Sequence, residues 1–289
     1  MSWGLLLGVA LFQPTPQIFA PGVVSTAEPE FAASLSPDGT SFFFNRASAD
    51  RSRLAILVSH APEGGDGGWG PAETAPFSGI HRDVDPFVSP DGEKLYFSSS
   101  RPTEAGDETP DFNTWVVERE GVDWSEPVPL PEPLNTASQE TFVSADGQGT
   151  LYFASDRDGT QRVWRSLRID GEYEAPRVVP FAMNLEGGAS NPWISSSGKL
   201  LIFVAGRPGA EDSDLYATCL EESAWLPGRS LGDVVNSSFG DFAPSLSPDG
   251  RYLFFTSERP GIVPAVSAGQ RPPGDLYRIE LDALDLPCR

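Results

Sequence analysis

Five copies of one short phrase predict an all-β protein, and their count and spacing predict a five-bladed β-propeller of four-stranded antiparallel blades. The phrase reads Ser36-Pro37-Asp38-Gly39, Ser89-Pro90-Asp91-Gly92, Ser144-Ala145-Asp146-Gly147, Ser195-Ser196-Ser197-Gly198 and Ser247-Pro248-Asp249-Gly250. Its closing glycines stand 53, 55, 51 and 52 residues apart, the mark of one supersecondary unit copied along the chain. A second observation is the three-residue apolar block after every copy; a third is the proline-bearing segment that ends four of the five units.

Each unit resolves into strands in order. Before the turn lies a short first strand, such as Pro86-Phe87-Val88 or Pro244-Ser245-Leu246. The turn itself has the aspartate and glycine that tight turns favour, so Asp38, Asp91, Asp146 and Asp249 are expected to bond local backbone N–H groups. The apolar blocks Phe42-Phe43-Phe44, Leu95-Tyr96-Phe97, Leu151-Tyr152-Phe153, Leu201-Ile202-Phe203 and Leu253-Phe254-Phe255 form the second strand. A third strand follows a polar loop, at Leu54, Thr114, Arg162, Leu215 and Leu276 onward. Trp69, Trp124, Tyr173 and Trp225 then open a fourth segment, whose Pro71, Pro127, Pro176 and Pro227 suit an outer edge.

The fifth unit lacks a fourth segment, and the missing piece stands at the other end of the chain. Residues Pro16 to Val24 match the register of Pro127 to Leu134 and of Pro176 to Met183, so an N-terminal strand is expected to complete the last blade. Such closure removes the exposed edges of a linear stack. The organisation is one propeller domain over residues 16–289, preceded by a signal-like or disordered segment over 1–15 that holds the apolar run Leu5 to Phe12.

Twenty basic residues against 41 acidic ones leave a net charge of −21, which disfavours nucleic acid and anionic membranes and favours cations or basic partners. No other stretch could span a bilayer. The two cysteines, Cys219 and Cys288, exclude a cysteine-rich metal site and leave open whether they pair.

Two charged rows recur in register. Glu30, Asp83 with Asp85, Glu140, Asn191 and Asp241 enter the first strands; Arg46, Arg101, Arg157, Arg207 and Arg259 leave the second strands. Both rows should ring one mouth of the central channel. The structural reading is acid–arginine locks repeated around the ring, in which arginine depresses each carboxyl pKa. The functional reading is a polar funnel for a cation, a basic peptide or a sugar, with Asp85 and Glu140 foremost because the first and fifth units hold Ala32 and Ala243 there. His81, Asp83 and Asp85 have a spacing that a divalent metal could use, but a solvated loop histidine accounts for His81, and no metal or cofactor is expected. No G-x-S-x-G elbow, P-loop or dinucleotide fingerprint occurs.

Trp124-Ser125-Glu126-Pro127-Val128, Leu134-Asn135-Thr136, Glu140 and Leu151-Tyr152-Phe153-Ala154-Ser155-Asp156-Arg157, with their counterparts, resemble the WD-like β-propeller repeats of bacterial envelope proteins, including the propeller of the Tol system. The resemblance runs from Pro16 onward and implies a propeller with a binding role. The chain departs from it in its five blades, where the Tol-system propeller has six, and in Ser196-Ser197, which replace Pro-Asp in the fourth turn. The expectation is therefore a monomeric, non-enzymatic scaffold, periplasmic or secreted, that recognises a protein segment or glycan at the charged channel face. Asp83, Asp85, Glu140, Asn191, Asp241, Arg101, Arg157, Arg207 and Arg259 would form that site. The alternative is a carbohydrate-active hydrolase using Asp85, Glu140 and Asp241; a purely architectural role is a third.

Overall fold

The computed structural model describes residues 14–62, 68–103, 111–206, 212–264 and 272–288. Five antiparallel sheets form the blades of a propeller, each with an inner strand, a second, a third and an outer strand. The inner strands are Glu30–Leu35, Asp83–Val88, Glu140–Ala145, Ser190–Ile194 and Asp241–Leu246, which number blades 1 to 5. The outer strand of blade 5 is Gln17–Ile18, paired with Arg278 and Tyr277 of the C-terminal strand Asp275–Glu280, so the ring closes through the N-terminal segment. Phe19 extends the seam by donating its N–H to the Leu276 carbonyl at 2.8 Å.

The apolar triplets explain where the core lies. Successive residues of a strand point to opposite sides, and each side of a blade faces a different neighbour. Phe42 and Phe44 therefore enter the cluster between blades 5 and 1, whereas Phe43 enters the one between blades 1 and 2. The same division holds for Leu95 and Phe97 against Tyr96, and for Leu151 and Phe153 against Tyr152. Leu201 and Phe203 against Ile202, and Leu253 and Phe255 against Phe254, complete the circle. The hydrophobic core is thus five seams between sheets, and each buried phenylalanine contributes roughly 1.5–3 kcal/mol to its seam.

One turn and the outer edges differ from expectation. In blade 3, Ser144 pairs with Tyr152 as Ser34 pairs with Phe43, so Ser144 lies inside the inner strand and does not begin the turn. Asp146 takes the place of Ser36: its carboxylate accepts the N–H groups of Gln148 at 2.8 Å and Thr150 at 3.0 Å, and Gly149, not Gly147, has positive φ. Asp38, Asp91 and Asp249 each accept a serine hydroxyl and a backbone N–H within the turn. Trp124, Tyr173 and Trp225 sit in two-residue hairpins that continue the third strands, and the outer strands proper, Val128–Pro129, Arg177–Val178 and Arg229–Ser230, follow the prolines.

Cys219 of the blade 4 third strand is joined to Cys288 by a disulfide with Cα atoms 6.0 Å apart. The tail that carries Cys288 buries Leu281, Leu284 and Leu286 against blades 4 and 5. No helix among the described residues is long and apolar enough to cross a membrane. Leu5 to Phe12 lies outside the described residues.

Candidate functional site: the central channel and its two mouths

Inner strands begin at one mouth, here the entry face, and end at the Ser-Pro-Asp-Gly turns, here the turn face. At the entry face four blades repeat one lock. Glu30 meets Arg46 at 2.8 Å, Asp83 meets Arg101 at 2.7 Å, Glu140 meets Arg157 at 3.1 Å and Asp241 meets Arg259 at 2.9 Å. All four carboxylates are fully buried. Each pair lies within one blade, but the arginine also donates to a carbonyl of the incoming connector: Val23 and Val24, Phe77, Pro133 and Leu134, or Val235. Connector hydroxyls complete the carboxylate shells, with Thr26 on Glu30, Ser78 on Asp83, Thr136 on Glu140 and Ser237 on Asp241. The locks therefore fasten the strand leaving one blade to the strand entering the next.

Burial decides the electrostatics. It raises the pKa of Glu30 and Glu140 despite the arginine beside each, contrary to the expected depression, because desolvation outweighs the bonds to Thr26, Thr136, Arg46 and Arg157. Blade 4 omits the lock. Ala189 occupies the acid's position and Ala205 packs beside it, both buried in an apolar cluster. Arg207 lies outside the described residues.

Two residues farther along every inner strand the register slips, and one residue adopts left-handed backbone: Ala32, Asp85, Phe142, Asn191 and Ala243, with φ from 48° to 58°. This bulge re-aims the strand. Asn191 thus belongs with Asp85 and not with Glu30, and Glu140 belongs with Glu30 and not with Asp85. Bonds cross the seams at this ring. Ala32 N–H donates to Thr256 Oγ1 at 3.2 Å, Asp85 N–H to Asn45 Oδ1 at 2.7 Å and Ala243 N–H to Asn191 Oδ1 at 3.0 Å.

Asp85 is the exception in this ring. It is 5% exposed, and Oδ1 has no hydrogen-bond partner. Burial pushes its pKa up to about 8, opposed only by the N–H of Phe142 in the next blade. It lines the axial constriction, a narrow space of about 30 Å³ bordered by all five inner strands.

Toward the turns the channel opens into a funnel of about 520 Å³, lined by blades 1, 2, 4 and 5. Phe87, Trp193 and Ser245 border both the constriction and the funnel. Phe87 and Trp193 occupy equivalent positions, where blades 1, 3 and 5 carry Ser34, Ser144 and Ser245. Sequence reasoning missed both aromatics; the signal was a bulky ring replacing a small residue just before the turn. Among the described residues no Lys, Arg or His lines either space.

His81 is exposed and lines a separate cleft of about 540 Å³ between blades 1 and 2. Asp83 is held by Ser78, Ser99 and Arg101, so the three spaced residues do not converge. Among the described residues no group of three or more His, Cys, Asp or Glu is placed to hold a metal ion.

No protein-family model matches the sequence, and no curated protein matches it. Solved structures do share its architecture. The TolB of Acinetobacter baumannii is similar over 88% of this chain and 54% of its own, with 15% identity and a TM-score of 0.52. The catalytic domain of the GH62 alpha-L-arabinofuranosidase of Coprinopsis cinerea is similar over 96% of this chain and 99% of its own, with 12% identity and a TM-score of 0.57. The alpha-L-arabinofuranosidase PaAbf62A of Podospora anserina, solved with cellotriose, gives 14% identity and a TM-score of 0.55 over 93% of this chain and 96% of its own. The chain thus spans about half the length of that TolB and nearly all of the two hydrolase domains. At these identities the likeness is one of fold, the all-β propeller, which this chain builds from five blades.

Proposed function

We propose that this chain is a recognition protein that binds its ligand in the turn-face funnel, in an oxidising extracytoplasmic compartment. The observation that carries this reading is the division of labour between the two mouths. At the entry face Asp83, Glu140 and Asp241 are fully buried and held by Arg101, Arg157 and Arg259, so a ligand would have to break the locks to reach them. The funnel has the volume of a ligand pocket, two aromatics at its floor and a rim of serine and proline. The disulfide supports the compartment, since such bonds persist where thiols are not kept reduced.

The recognised group is therefore read at the opposite mouth from the one expected of the charged rows. Reversing charge at Glu140 would orphan Arg157 inside the protein and disturb folding before it informed on binding. The hydrolase reading is weakened for the same reason. Glycoside hydrolysis of the usual kind needs two working carboxyl groups, and pinning Glu140 and Asp241 leaves Asp85 alone.

The test uses residues that the chain already carries. Phe87→Ser with Trp193→Ser gives blades 2 and 4 the side chain of the other three blades. Probed on peptide and glycan arrays, the wild type should show signals that fall at least tenfold in the double variant while thermal unfolding stays cooperative. Signals that survive the change would move recognition away from the funnel.

A further inference from the structure

We propose that the channel behind the funnel is a socket for a primary alkylammonium group, which enters between Phe87 and Trp193 and ends against the free oxygen of Asp85. The proposal rests on the funnel as the binding mouth and adds the chemistry that is read there. Asp85 Oδ1 is buried, has no partner and belongs to the only titratable side chain among the described residues that line either space. A buried carboxyl without a cation or a donor is costly, and the missing partner would come from outside.

Size and depth select the cation. The constriction is narrow, about 30 Å³, which favours a compact ammonium head over a broader, planar guanidinium. Between the aromatic position and the bulge ring lie about two residues of strand, roughly 6 Å, close to the reach of a four-carbon stem. Faces of Phe and Trp at the entrance attract a cation in transit. The net charge of −21 favours the same sign at long range. A metal ion fits less well, because Asp85 is the one carboxylate among the described lining residues, and Asn191 and Ser144 are already engaged with the Ala243 N–H and the Pro192 carbonyl.

Binding also has a proton signature. Asp85 holds its proton at neutral pH in the free protein, and an incoming ammonium would favour the carboxylate, so the proton passes to the buffer as the ion pair forms.

Calorimetric titration tests the proposal with Nα-acetyl-lysine methylamide, its norleucine counterpart, its Nε-acetylated form and cadaverine, at pH 7 in two buffers of different ionisation enthalpy. The lysine compound should bind at least tenfold more tightly than the norleucine and Nε-acetyl compounds and release close to one proton. Asp85→Asn should abolish both the preference and the release; should that variant misfold, proton release in the wild type decides alone. Tighter binding of the lysine compound than of cadaverine assigns the socket to a protein lysine, and the reverse assigns it to free diamines. Equal binding of lysine and norleucine compounds, no binding of either ammonium at millimolar concentration, or binding without proton release would overturn the proposal. If these probes fail while array signals still depend on Phe87 and Trp193, only the socket falls and the funnel stands.

Discussion

Asp85 occupies a position whose counterparts are Ala32, Phe142, Asn191 and Ala243, and it alone of the five carries an ionisable group. Its consequence for stability has a definite sign. The unfolded carboxyl releases its proton near pH 3.8, whereas the native one holds it to about 8. Between these values the native state binds more protons, so this group's contribution to stability falls as pH rises from about 4 to about 8. Asp85→Asn should remove the fall: its melting temperature should exceed that of the wild type at pH 8, with the gap closing toward pH 4. Circular dichroism melts across that range would check it. The sequence shows Asp85 to be acidic and near the channel, but not that its equivalent in blade 3 is Phe142. A bulge changes register without leaving a mark in residue type, so Glu140 and Asn191 were each assigned to the wrong ring.

At the scale of the strand and its connector, the repeated lock has a built-in control, since blade 4 replaces the acid and its neighbouring serine by Ala189 and Ala205. A buried ion pair is often no more stabilising than apolar packing, whereas half of one is destabilising. Arg157→Met should accordingly cost about 3–5 kcal/mol, because it leaves buried Glu140 without its cation. Glu140→Ala with Ser155→Ala and Arg157→Met, which gives blade 3 the alanine pair of blade 4 and removes the arginine as well, should cost less than that single change. Denaturant unfolding of the two variants gives the comparison. The strands were legible because their apolar triplets are local and repeat five times. Blade 3's turn was misplaced by two residues: Asp146 replaces the serine of the other turns, so the eye aligns Asp146-Gly147 with Asp38-Gly39 although the backbone aligns it with Ser36-Pro37.

For the molecule as a whole, closure rests on two tethers far apart in sequence, the outer strand Gln17–Ile18 on blade 5 and the Cys219–Cys288 bridge on blade 4. The bridge spans a sequence separation of 69 residues, for which loop entropy predicts about 4 kcal/mol. Replacing both cysteines by serine should lower the unfolding free energy by about that amount while leaving the secondary structure unchanged, as urea titration followed by circular dichroism would show. Blade number and closure could be counted from the sequence because each blade writes its own signature. The funnel could not, since Phe87 and Trp193 stand on different blades and only the ring brings them together. One practical corollary comes from strand direction. Outer strands run from the turn side and third strands run toward it, so Pro14 and Cys288, whose sulfur contacts the Lys199 carbonyl beside a turn, both emerge on the side of the funnel. A reporter group placed beside Pro14 or Cys288 would therefore share the funnel's face, whereas one on the opposite rim would leave that face clear.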